Sequence, residues 1–114
     1  MKKIVILSCL RANENCTGMG CIRAFNQRRA KFSGYGDDAE LLTFMRCSHC
    51  YTDLDPTEDP GFRKKLDRIA GEGADIVHIG GCANKKETGL CPGMAKMIDM
   101  IRAKGIEVVL GTHH

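Results

Sequence analysis

Seven cysteines in 114 residues are the first chemistry this sequence offers. An odd number cannot pair completely within one chain. In a reducing compartment such cysteines serve metal binding or thiol chemistry more often than disulfides. Cys47-Ser48-His49-Cys50 has the two-residue spacing that lets both sulfurs meet one ion. Dithiol redox centres use the same spacing at a helix N-terminus. Here a long acidic connection follows it, which weakens the redox version. Cys91-Pro92 opens a predicted helix, where the dipole favours a thiolate and suits a metal ligand or a nucleophile equally. Cys16 and Cys21 are spaced to share an ion, or simply to pack the first helix. Among the histidines, His49 is an exposed candidate ligand. His78 lies inside an apolar run and reads as a core histidine. His113 continues the last strand into its end loop through Gly111-Thr112. His114 has no such argument and is compatible with the stub of a purification tag.

The elements that position these residues follow from hydrophobic pattern and breakers. Residues 3–8 are an apolar, β-branched run, the mark of a buried strand. A helix is expected from Thr17 or Gly18 to about Lys31, with Met19, Ile22 and Phe25 on one face. A turn cluster spans 33–38, and 40–46 reads as a second strand. Asp59-Pro60 begins a helix, with Asp as N-cap and Pro at the first helical position. Phe62, Leu66, Ile69 and Ala70 form its inner face, and Gly71 or Gly73 ends it. A third strand covers 75–79. After a polar loop, Cys91-Pro92 starts a helix with Met94, Met97, Ile98 and Ile101 inward. Gly105 ends that helix, and 106–110 forms the last strand.

Strands alternating with helices imply right-handed crossovers and a parallel sheet. The expectation is one α/β domain over 1–114, a Rossmann-like or flavodoxin-like three-layer sandwich around a four-stranded parallel sheet with the first strand central. Ligands of such sheets sit beyond the carboxyl ends of the strands. Cys9 follows the first strand, Cys47 and Cys50 the second, Cys82 the third and His113 the fourth. Cys16, Cys21 and Cys91 lie in strand-to-helix connections or the first turn beyond them. All the cysteines therefore fall on one side of the sheet. Cysteines used only as small hydrophobes would also occupy strands and helix interiors.

Other function classes find little support. The net charge is +3 with both signs interspersed, and the chain holds two Tyr, four Phe and no Trp to stack on bases. Nucleic-acid binding is not expected. The longest apolar runs are strand-sized, so no membrane span is expected. Residues 4–7 are too short for the core of a signal peptide, and a cytoplasmic location is expected. No cysteine has Arg six residues later, which removes the phosphatase-type loop. Gly18-Met19-Gly20 lacks the third glycine of a dinucleotide fingerprint, and there is no P-loop.

Along its whole length the chain resembles the CGGC domain family, short prokaryotic proteins described as metal-binding domains. The resemblance is carried by Cys9, by Cys16 with Cys21, by Cys47 to Cys50, and by Val77-His78 with Cys82. Cys91-Pro92 and Gly111-Thr112-His113 complete it. The family's Cys-Gly-Gly-Cys is here Cys47-Ser48-His49-Cys50: the sulfurs stay and the two glycines do not, so His49 is a further candidate ligand. The resemblance implies metal binding and supports His113 as native. It supplies no reaction.

The first functional reading is a zinc-binding module. Cys47, Cys50 and one or two of Cys9, Cys82, Cys91 and His113 hold the ion, with Cys16, Cys21 and His49 as further candidates. Seven cysteines exceed one zinc site, so two ions or an iron–sulfur cluster are alternatives. A different class is a thiol-redox or sulfur-transfer enzyme using Cys47/Cys50 or Cys91. Whether the chain is an enzyme is open at this point. A third reading is a regulatory or scaffold domain whose metal is structural.

Overall fold

The structure is a computed structural model that describes residues 2–10, 15–47, 54–85 and 89–113. Strand β1 (Lys3–Ser8) leads to helix α1 (Met19–Asn26) and strand β2 (Glu40–Arg46). Helix α2 (Pro60–Gly71) and strand β3 (Ile76–Ile79) follow. A short antiparallel pair, β4 (Asn84–Lys85) and β5 (Gly89–Leu90), precedes helix α3 (Pro92–Ala103) and strand β6 (Glu107–Leu110).

The four long strands form one parallel sheet in the order β2-β1-β3-β6, with β1 inside it as expected. Strand side chains alternate in direction, so each strand feeds two cores. Ile4, Ile6 and Ile76 pack with Cys21, Ala24 and Phe25 of α1. Val5, Leu7, Val77 and Ile79 pack with Phe62 and Leu66 of α2 and with Met97 and Ile101 of α3. The result is the expected three-layer α/β sandwich, with α1 on one face and α2 and α3 on the other. No helix among the described residues is long and apolar enough to cross a membrane.

Local chemistry explains the element ends. The Asp59 carboxylate accepts the Gly61 N–H at 2.9 Å and caps α2, with Pro60 at the first helical position. Helix α1 stops at Asn26, short of the expected Lys31. Beyond it the chain turns left-handed at Arg28 (φ 52°) and Ala30 (φ 50°), which is costly for residues with a Cβ. The Arg28 guanidinium offsets that cost by donating to the carbonyls of Phe25 at 2.6 Å and Ala39 at 2.9 Å. This turn delivers Phe32 to the core, fully buried, with its ring 4.4 Å from that of His78.

His78 is a satisfied core histidine. Its Nδ1 lies 2.9 Å from the Gly111 carbonyl and its Nε2 lies 2.6 Å from the Tyr35 hydroxyl. A carbonyl only accepts, so Nδ1 carries the proton and Nε2 accepts from Tyr35. Burial pushes the pKa of the ring down, and the neutral form is the one held.

Candidate metal centre

Alternation along the strands decides where the thiols go. On β1, Ser8 follows Ile4 and Ile6 to the α1 face, where it lines a pocket. Cys9 follows Val5 and Leu7 and packs against the core of the α2/α3 face. On β2, Phe44 packs on the α1 side, while Met45 and then Cys47 join the opposite core. Cys91, the N-cap residue of α3, also packs against that opposite core, and its side chain makes no capping bond. The described candidate ligands thus share one rim of the sheet but divide between its two faces. Cys50 and His49 lie outside the described residues.

On the α1 face, Cys16, Cys21, Cys82 and His113 line one pocket of about 280 Å³, with Ser8 and Phe44 among the remaining walls. A larger cavity of about 380 Å³ lies between β2 and α2, lined by Leu42, Met45, Lys65 and Ile69 among others. It holds neither thiol nor imidazole, so chemistry favours the smaller one.

Each wall of this pocket comes from a different part of the chain. Cys21 sits in the first turn of α1, buried, with Sγ 3.1 Å from Thr112 Oγ1 and 3.5 Å from His113 Nδ1. Cys82 follows β3, and its Sγ accepts the backbone N–H of Cys9 at 3.2 Å. A Cβ added to Gly80 would stand 3.3 Å from the Cys82 sulfur, a close approach that a side chain would crowd. Gly20 makes a similar approach to His113: its Cβ would stand 3.2 Å from both Nε2 and Cδ2 of the imidazole. The ring therefore turns Nε2 towards α1 and Nδ1 towards Cys21.

Opposing effects act on the Cys21 thiol, and the net shift of its pKa is upward. Burial pushes the Cys21 thiol up, and the neighbouring Cys82 and Cys16 add to the rise. The Thr112 hydrogen bond and the Arg46 guanidinium act in the opposite direction. Arg46 also donates to the carbonyls of Cys9 at 3.2 Å and Cys16 at 3.3 Å, fastening both ends of the first strand-to-helix connection.

The donor set is three thiols and an imidazole, a combination that zinc accepts. Zinc–sulfur and zinc–nitrogen bonds of about 2.3 and 2.0 Å at a tetrahedral angle put the two donors roughly 3.5 Å apart. The Cys21–His113 separation is 3.5 Å. Among the described residues no three Cys, His, Asp or Glu side chains are grouped closely enough to hold one ion as they stand. Cys16 and Cys82 line the same pocket but would have to turn towards the Cys21–His113 pair.

Sequence reasoning ranked Cys16 and Cys21 below Cys47 and Cys50; among the described residues, Cys16 and Cys21 line one pocket with Cys82 and His113. It named Thr112 only as part of the run Gly111-Thr112-His113, with no role of its own, and did not single out Arg46 or Gly20. Thr112 stands beside His113 in sequence, but nothing in a lone threonine announces a buried hydroxyl between two candidate ligands.

Fold and pocket together define a small α/β domain with a thiol–imidazole pocket at the carboxyl rim of its sheet. The chain belongs to the CGGC domain family, whose model matches residues 3–113. No curated protein and no solved structure matches it.

Proposed function

We propose that this protein binds a thiophilic divalent metal ion, zinc before others, in the pocket between α1 and the sheet rim. Cys21 and His113 are the preformed pair, and Cys16 and Cys82 complete four ligands. The observation that carries this reading is the 3.5 Å contact between Cys21 Sγ and His113 Nδ1, which matches the spacing of a sulfur and a nitrogen donor on one zinc ion. Membership of the CGGC family supports metal binding in general. On the other face, Cys9, Cys47 and Cys91 are the candidate donors for a second ion; Cys50 and His49, named with them from the sequence, lie outside the described residues. An iron–sulfur cluster is the weaker alternative for the first pocket, because such clusters are held chiefly by thiolates and this pocket offers an imidazole. A thiol-redox or sulfur-transfer catalyst on Cys47/Cys50 or Cys91 is the rival class. It requires thiols that react in metal-free protein without prior chelation.

Elemental analysis of protein purified without oxygen, followed by Co²⁺ titration, tests the proposal. The expected result is colourless protein carrying zinc. Its cobalt form should show thiolate charge-transfer bands that Cys21→Ser and His113→Ala both weaken. Brown protein would remove zinc, and cobalt binding lost in Cys47→Ser but retained in Cys21→Ser would move the site to the other face.

Gly20→Ala separates site from fold. Alanine exceeds glycine in helix propensity by up to about 1 kcal/mol, so the melting temperature of metal-free protein should hold or rise. The new methyl would press on the exposed His113 ring and move Nδ1 off the pair. Co²⁺ affinity should fall at least tenfold. Unchanged affinity would mean that His113 is not a ligand.

A further inference from the structure

Thr112 is fully buried, although its side chain ends in a hydroxyl. A buried hydroxyl is costly unless hydrogen-bonded. Among the described residues its bonding partners are both walls of the pocket: Cys21 Sγ at 3.1 Å and His113 Nδ1 at 3.1 Å. The backbone on either side of it is pinned. The Gly111 N–H donates to the Ile79 carbonyl at 2.8 Å, and the Thr112 carbonyl accepts the Lys31 N–H at 3.1 Å. The Gly111 carbonyl accepts from His78 at 2.9 Å. The hydroxyl is therefore held in place by the fold.

We infer that Thr112 is a positioning residue for the metal pair: its hydroxyl sets the orientation of His113 and stabilises Cys21 as a thiolate when an ion is bound. This rests on the metal-binding reading above. A hydroxyl has one proton to donate and lone pairs to accept with. With Cys21 as a thiol and the imidazole protonated at Nε2, the hydroxyl accepts from Cys21 Sγ and donates to His113 Nδ1. An ion that takes the Nδ1 lone pair leaves the hydroxyl only Cys21 to donate to. The hydroxyl proton then turns to the sulfur, where a hydrogen bond to a charged acceptor is stronger. Gly20 lies at the other edge of the ring, where an added Cβ would stand 3.2 Å from Nε2. Outer partners of this kind typically govern metal affinity 10–100-fold.

Co²⁺ titration of wild-type protein, Thr112→Val and Thr112→Ser is the test. Valine keeps the shape and removes the hydroxyl, while serine keeps the hydroxyl. Thr112→Val should bind Co²⁺ roughly 10–100-fold more weakly. Its thiolate-to-cobalt band should move to lower energy, because the sulfur loses its hydrogen bond. Thr112→Ser should restore both. If the valine variant does not fold, Thr112→Ala against Thr112→Ser gives the same comparison, since both lack the methyl and differ only in the hydroxyl. Wild-type affinity and an unmoved band in the hydroxyl-free variant, with wild-type protein binding cobalt, would overturn the role of Thr112 alone. Wild-type protein that binds no cobalt would overturn the metal reading and this inference together.

Discussion

Saturating zinc is expected to raise the unfolding free energy by about 4 kcal/mol when free metal exceeds its Kd a thousandfold. For a domain of this size that is a rise in melting temperature on the order of 15 °C. Chelation should reverse it and leave the far-ultraviolet circular dichroism essentially unchanged. The expectation comes from where the pocket sits. It lies at the rim, above a core that closes without it: Ile4, Ile6 and Phe32 on one face and Val5, Leu7 and Ile101 on the other are already fully buried. On the proposed reading, a metal bound at the Cys21–His113 pair adds stability by mass action and does not create the fold. Small zinc modules behave differently and unfold when stripped. Collapse of the secondary structure on chelation would place this protein with them. An unmoved melting curve would mean that zinc is not bound.

Phe32→Ala should cost about 3–5 kcal/mol, the usual penalty for emptying a fully buried aromatic position. Urea denaturation would show it as a lower midpoint with a similar slope. The Phe32 ring meets Phe25 edge-on at 5.5 Å and lies 4.4 Å from His78. The cavity would open beside the histidine that holds the Gly111 carbonyl, so the end loop of β6 should loosen as well. Phe32→Leu should recover much of the loss, because it refills most of the volume. A cost below about 1 kcal/mol for the alanine variant would show that the turn at Arg28 and Ala30 does not depend on seating this ring.

The fold was legible where the pattern is long and local. Residues 3–8 and 40–46 are strands with the expected bounds, and Asp59-Pro60 is a helix start because cap and proline chemistry act within one turn. Helix α1 was overestimated because its end is set by two left-handed residues and by Arg28 reaching carbonyls elsewhere. The β4–β5 pair escaped notice, since two-residue strands carry no alternation to read. At the site, the rim was legible from the rule for parallel sheets. The division between faces was not. It depends on the parity with which each strand ends, and a register irregularity between Ile4 and Val5 shifts that parity on β2. Cys47 and Cys50 drew attention because close spacing is visible in sequence. The meeting of Cys21 with His113 is visible only in three dimensions.

That meeting also bears on the order of assembly. Cys21 and Thr112 are 91 positions apart, and Cys21 and His113 are 92. β6 reaches the sheet only through β3, and β3 only through β1. Contacts that span nearly the whole chain form late, after the entropy of closing the intervening loop has been overcome. The pocket is thus a product of folding and not its nucleus: a chain still waiting for its last strand has Cys21 in its helix, but not yet the histidine that Cys21 meets.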